Sequence, residues 1–121
     1  MRINRIPYGE PGKTAEPEEI LFSGFCDRHN LTIDVVDRGP HRGNVIPRYY
    51  AAIKNGETLD KGILTSTMGN GDTELLAIAV LKEDLLGKLL VVNAMTSDRT
   101  EIQCPSNWLY EPLNFYSQLI R

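Results

Sequence analysis

Two cysteines and two histidines are all that the 121 residues offer of the side chains that most often hold metals or drive nucleophilic chemistry. Cys26 and Cys104 stand far apart with no CxxC pair. That spacing excludes a disulfide framework and a zinc-type ligand set and suits free buried thiols in a cytoplasmic, reducing setting, with a single Cys26–Cys104 bridge left open. No apolar run approaches the roughly 20 residues that span a bilayer, and the opening Met1 to Pro7 lacks the apolar core of a signal peptide. Basic charge is scarce: 13 Lys and Arg against 16 Asp and Glu leave a formal charge of −3. A broad phosphate-neutralising surface is therefore not expected, although a local basic pocket is compatible with the balance. GxSxG, HExxH, GxGxxG and Walker loops are all missing. The expectation is a binding protein and not an enzyme, with no cofactor and no metal.

What is present reads as one α+β domain. At 41% apolar and 24% charged residues the composition is that of an ordinary globular chain. Residues 1–14, with the Pro/Gly-rich Pro7 to Lys13, are expected to be an N-terminal arm, and 15–121 a single domain. Thr14 as N-cap, the acidic Glu16, Glu18 and Glu19, and the apolar Leu21, Phe22 and Phe25 predict a helix over 15–29, stopped at Asn30 in the left-handed conformation. Alternation at Leu31, Ile33 and Val35 predicts a strand over 31–37. A second strand over 48–54 carries Tyr49, Ala51 and Ile53 on one face, and Asn55-Gly56 predicts a hairpin into a partner strand over about 59–68.

Residues 72–92 admit two readings, since Leu75 to Leu81 would also suit a buried strand. Capping favours a helix over 72–86: Asp72 as N-cap, Glu74 in the first turn, Gly87 as the stop, and Ala77, Ile78, Leu81 and Leu85 as one apolar stripe. Strands over 88–95 and 101–104 follow, then a short helix begun near Pro112 with Leu113, Tyr116 and Ile120 at helical spacing. The expected architecture is a single, mostly antiparallel sheet of about five strands with two main helices, in the order αβββαββα.

Three segments carry candidate chemistry. In the loop Arg38-Gly39-Pro40-His41-Arg42-Gly43-Asn44, the guanidinium groups of Arg38 and Arg42, with Arg48 beyond, suit phosphate oxygens, and His41 is a candidate acid or base; the plainer reading is a soluble connection. Thr65 to Thr73 is a hydroxyl- and glycine-rich turn into a helix N-terminus, read first as turn and cap. Asn93, Asp98, Arg99 and Glu101 cluster at a strand turn, where they suit a base edge or ribose, or simply hold the turn by Asx hydrogen bonds and an Arg99 ion pair. Phe25, Tyr49, Tyr50, Trp108 and Phe115 suit base stacking or, more simply, a core.

Arg48 to Ile53, Gly69 to Glu74, Leu86 to Ala94 and Arg99 to Pro105 together resemble the type 1 Thoeris anti-defence proteins, small phage-encoded proteins, over about residues 18–105. Leu75-Leu76 and Cys104 stand where that pattern has polar helix residues and an aliphatic. The resemblance implies a non-enzymatic sponge that captures cyclic ADP-ribose-type signals, in some members cyclic dinucleotides, and assembles as an oligomer. It carries Asn93 and Arg99 over as ligand contacts.

The expected function is thus sequestration of a small phosphate-bearing nucleotide by a cytoplasmic homo-oligomer, blocking host immune signalling. Its expected ligand set is Arg38, His41, Arg42, Arg48, Asn93, Asp98 and Arg99. An apolar stripe through Leu75, Leu76, Val80 and Leu86 suggests the self-association surface. A nucleic-acid-binding or antitoxin-like module, and a small phosphoester hydrolase using His41, remain as alternatives.

Overall fold

The computed structural model describes residues 20–39, 47–112 and 114. The chain runs α1 (Phe22–Arg28), β1 (Ile33–Asp37), β2 (Tyr49–Ile53), β3 (Gly56–Asp60), β4 (Ile63–Ser66), β5 (Gly69–Gly71), α2 (Glu74–Asp84), β6 (Leu89–Val92) and β7 (Thr100–Gln103). The α+β class is as expected. The strands, however, form two antiparallel sheets, β1-β2-β5 and β4-β3-β6-β7, in place of one.

The divergence begins at Asn55-Gly56. A hairpin there needs positive φ at both residues, and only Asn55 adopts it, at 58°. The chain bends instead, so that β2 stays in the first sheet and β3 enters the second. The bend is tight: a Cβ on Gly56 would lie 2.7 Å from the Ile53 Cβ. The true two-residue hairpin is one step later, at Lys61 (φ 51°) and Gly62 (φ 80°), with Asp60 opposite Ile63. The long strand expected over 59–68 is accordingly split between the end of β3 and β4.

The α1 helix starts later than expected. Leu21 is its extended N-cap, and Ile20 instead bridges to Trp108. Thr14 and the acidic run to Glu19 lie outside the described residues. At the other end Asn30 takes φ 54°, with Leu31 N–H bonded to the Cys26 carbonyl and Asn30 N–H to that of Asp27. Those two bonds are a Schellman stop, as the sequence predicts.

The segment 75–81 is helical, and Ala77, Ile78, Leu81 and Leu85 are fully buried. Its N-cap is Thr73, whose hydroxyl accepts from Leu76 N–H, and not Asp72. Gly69-Asn70-Gly71, expected as a turn, is a strand pressed against α2. A Cβ on Gly69 would stand 2.1 Å from the Leu81 nitrogen and 2.2 Å from the Ala77 oxygen, so glycine is what permits the approach.

One core joins both sheets and both helices through Phe22, Phe25, Cys26, Ile33, Ile53, Ile78, Leu81, Leu90, Ile102 and Cys104. Both cysteines are buried and free, which corrects the open disulfide reading. After β7, residues 108–111 tie the two helices together. Trp108 packs edge-on against Phe22 and Phe25 and donates to the Lys82 carbonyl near the end of α2, while Glu111 accepts from Ser23 at the start of α1. Phe25 is therefore a core residue, and the partly buried Trp108 packs against that core. The C-terminal helix placed on Leu113, Tyr116 and Ile120, and the aromatic Phe115, lie outside the described residues. No described helix is long and apolar enough to cross a membrane.

Candidate functional site

The loop of basic residues is the connection of the β1–β2 hairpin, and pairing puts its two feet side by side: Arg38 N–H donates to the Arg48 carbonyl at 2.7 Å. From these feet the two guanidinium groups go to different surroundings. Arg48 makes two bonds to the Asp37 carboxylate, at 2.8 and 2.9 Å, and lies 5.2 Å from the Tyr49 ring centroid. The Arg48 hydrogen bonds and the Gly39 N–H pull the Asp37 carboxyl down from 3.8 to about 2. Arg48 is thereby neutralised.

Arg38 lies 4.8 Å from the Tyr50 ring centroid and donates to the Pro47 carbonyl and the Asn70 side-chain oxygen, each at 2.7 Å. Tyr50 and Asn70 are register partners across β2 and β5. Alternation puts them on the sheet face opposite Ala51 and Ile53, away from the core. Both of Arg38's hydrogen-bond partners are uncharged, and no carboxylate pairs with it among the described residues. Its charge is held in place, not cancelled. His41 and Arg42 belong to the loop between the two feet and lie outside the described residues.

The other half of the expected ligand set is elsewhere. Asn93 sits at the end of β6, and its N–H bonds to the Asn55 carbonyl at the far end of β2 from Arg48. The five residues of β2 separate the two groups, about 17 Å at the rise of an extended strand. Arg99 pairs with Glu101 at 2.9 Å, and the turn is held by threonine hydroxyls: Thr96 donates to the Asn93 carbonyl and accepts from Asp98 N–H, and Thr100 donates to the Asp98 carbonyl. The ion pair of the plainer reading is present, but Thr96 and Thr100 take the place of the expected Asx bonds. The expected ligand set thus does not form one constellation, because the hairpin feet and the β6–β7 turn belong to different sheets.

Thr65 to Thr73 is structural. Thr67 is buried and donates to Asp84 at 2.7 Å, and Gly69 and Gly71 lie against α2.

Among the described residues, three clefts opening to solvent bear on the site. One of about 550 Å³ lies by Thr58, Asp60, Thr65, Lys88 and Gln103. Several of its polar groups are already committed: the Gln103 amide nitrogen reaches the carbonyls of Gly87, Lys88 and Cys104, and Lys88 pairs with Asp84. Two further clefts, of about 370 and 140 Å³, share Asn55 and Asn93. Sequence reasoning missed Asn70 and Asp37 as partners of the arginines, and missed Asn30, Lys54 and Asn55 beside Asn93. The signal available for the asparagines was their turn position; nothing local told that three turns would meet.

Among the described residues no three His, Cys, Asp or Glu side chains group as a metal site. No protein-family model, curated protein or solved structure matches the chain.

Proposed function

We propose that the protein binds and sequesters a small phosphate-bearing nucleotide of the cyclic ADP-ribose or cyclic dinucleotide type, without turning it over, and so blocks host immune signalling. The observation that carries this reading is Arg38. It is a guanidinium fixed by uncharged partners over an aromatic ring, with N–H groups left to face a phosphate, at the foot of a loop whose sequence includes His41 and Arg42. Positive charge held in place costs less ordering on binding than a free surface arginine. Resemblance to the type 1 Thoeris anti-defence proteins supports the ligand class.

Assembly as a homo-oligomer belongs to the same proposal. Of the expected apolar stripe, Leu75 packs against the core, while Leu76 and Val80 stand one turn apart on α2 with 43% and 46% of their surface exposed, an apolar pair that a second protomer would cover. A cytoplasmic setting is supported by the free state of Cys26 and Cys104.

The test is calorimetric titration with cyclic ADP-ribose and cyclic dinucleotides, then heat release of the bound ligand and its identification by mass. Saturable binding with the ligand returned intact is the expected result. A chemically altered ligand, or no binding by any of these nucleotides, overturns the reading.

A further inference from the structure

The two clefts that share Asn55 and Asn93 carry an inference of their own, independent of the arginine site. Asn30, Asn55 and Asn93 adopt φ of 54°, 58° and 58° at three separate junctions, α1 to β1, β2 to β3 and β6 to β7. All three line the same 140 Å³ cleft, together with Thr32 and Lys54. From there the groove opens past Asn55 and Asn93 into the 370 Å³ cleft, which adds Glu57, Ser66 and Met95. Backbone bonds fix the walls: Asn93 N–H to the Asn55 carbonyl at 3.0 Å, and Lys54 N–H to the Thr32 carbonyl at 2.9 Å.

Left-handed backbone accounts for asparagine over most residues, but glycine meets that need equally well. Asparagine adds an amide at each position. Among the described residues none of these three amides makes a hydrogen bond, and Lys54 has no ion-pair partner. Each amide both donates and accepts, which is the complement of a vicinal diol, whose hydroxyls do the same. Among the described residues no aromatic ring lines either cleft, so none of them offers a base a face to stack on. Exposed Met95 offers an apolar wall for the C–H face of a sugar. The charges are segregated, with Lys54 in the narrow cleft and Glu57 in the wide one. An anionic group on the ligand is thereby directed to the narrow end.

We infer that the groove built by Asn30, Asn55, Asn93 and Lys54 is a second ligand site, for a polyhydroxylated sugar that carries one anionic group. A phosphate and a carboxylate present the same charge to Lys54, so sugar phosphates and uronates share this chemistry.

The experiment titrates the full chain with glucose 6-phosphate, glucuronate and glucose, reading the backbone amide resonances of Asn30, Asn55 and Asn93 and the affinity by calorimetry. Asn55→Gly and Asn93→Gly remove the amides while keeping backbone that tolerates positive φ; Lys54→Gln removes the charge at an exposed position that pairs with no carboxylate among the described residues. The expected result is saturable binding of at least one anionic sugar at these resonances, weakened about tenfold or more by each glycine variant and by Lys54→Gln, with glucose itself about tenfold weaker. Whichever of glucose 6-phosphate and glucuronate binds identifies the source of the charge. Failure of both to bind saturably, affinity unchanged in the glycine variants, or glucose binding as well as the anionic sugars overturns the inference. Nucleotide capture at Arg38 is read in a separate titration, so either idea can fail alone.

Discussion

Glu111 accepts hydrogen bonds from both the backbone N–H and the hydroxyl of Ser23, 88 residues earlier in the chain, and its side chain is buried. The start of α1 has no cap of its own, since Leu21 occupies the N-cap position. A carboxylate supplied from the far end of the chain does that work, satisfying a helix N–H and placing acidic character at the helix N-terminus. Replacing it leaves the two partly buried donors of Ser23 unpaired. Glu111→Ala is expected to destabilise the fold by about 1–3 kcal/mol, and Glu111→Gln by less because its amide oxygen still accepts. Urea unfolding of the variants measures both. Equal losses for the two would show that the acceptor oxygen is not what matters.

Gly69 offers a sharper steric prediction. A methyl group there would meet the Leu81 nitrogen at 2.1 Å and the Ala77 oxygen at 2.2 Å, both backbone atoms of α2 that no rotamer change can move. Gly69→Ala is expected to cost about 3 kcal/mol or more. Gly87→Ala, at an exposed helix stop with open space around it, is expected to cost only about 1 kcal/mol, from its positive φ. Thermal melts of the pair separate overpacking from backbone strain, and similar losses would contradict the close approach of β5 to α2.

Lys61 is a residue in the wrong conformation for its type. At φ 51° it occupies the first central position of the type I′ turn between β3 and β4, where asparagine is favoured. Lys61→Asn, giving an Asn-Gly turn, is expected to stabilise by about 0.5–1 kcal/mol. An unchanged or lowered melting temperature would argue against the turn.

The ion pair at the hairpin foot sets a pH dependence. Asp37 titrates from 3.8 in the unfolded chain to about 2 in the folded one, chiefly because Arg48 hydrogen-bonds its carboxylate. Its contribution to stability is therefore fully present above the unfolded value and is lost as pH falls through the folded one. Nuclear magnetic resonance titration of the Asp37 carboxyl should show a midpoint near 2, rising towards the ordinary value in Arg48→Gln. A wild-type midpoint in the ordinary carboxylate range would dissolve the pair.

The thiols behave in the opposite sense. Burial pushes Cys26 and Cys104 from 9.0 to about 12. Below 9.0 both states hold the protons; between 9.0 and about 12 only the unfolded chain releases them, so stability falls as pH rises through that window. Native protein at neutral pH should react with a thiol reagent only slowly, and at full stoichiometry once denatured. Rapid native labelling would contradict the burial.

Sequence alone determined the features whose cause is local. The alternation at Ile33 and Val35, the buried stripe Ala77, Ile78, Leu81 and Leu85, the stop at Asn30 and the α+β class all follow from periodicity and capping within one turn or strand. What tertiary structure decided was long-range. Asn55-Gly56 carries the local signature of a hairpin, yet the burial of Ile53 in one sheet and the entry of β3 into another turn it into a bend. Arg38 and Arg48 are ten positions apart in sequence but neighbours because β1 and β2 pair. Asn93 and Arg99, expected beside them, are held off by the length of β2. The grouping of Asn30, Asn55 and Asn93 in one groove depends on three turns converging as two sheets close over one core, and no local pattern encodes which turns will meet.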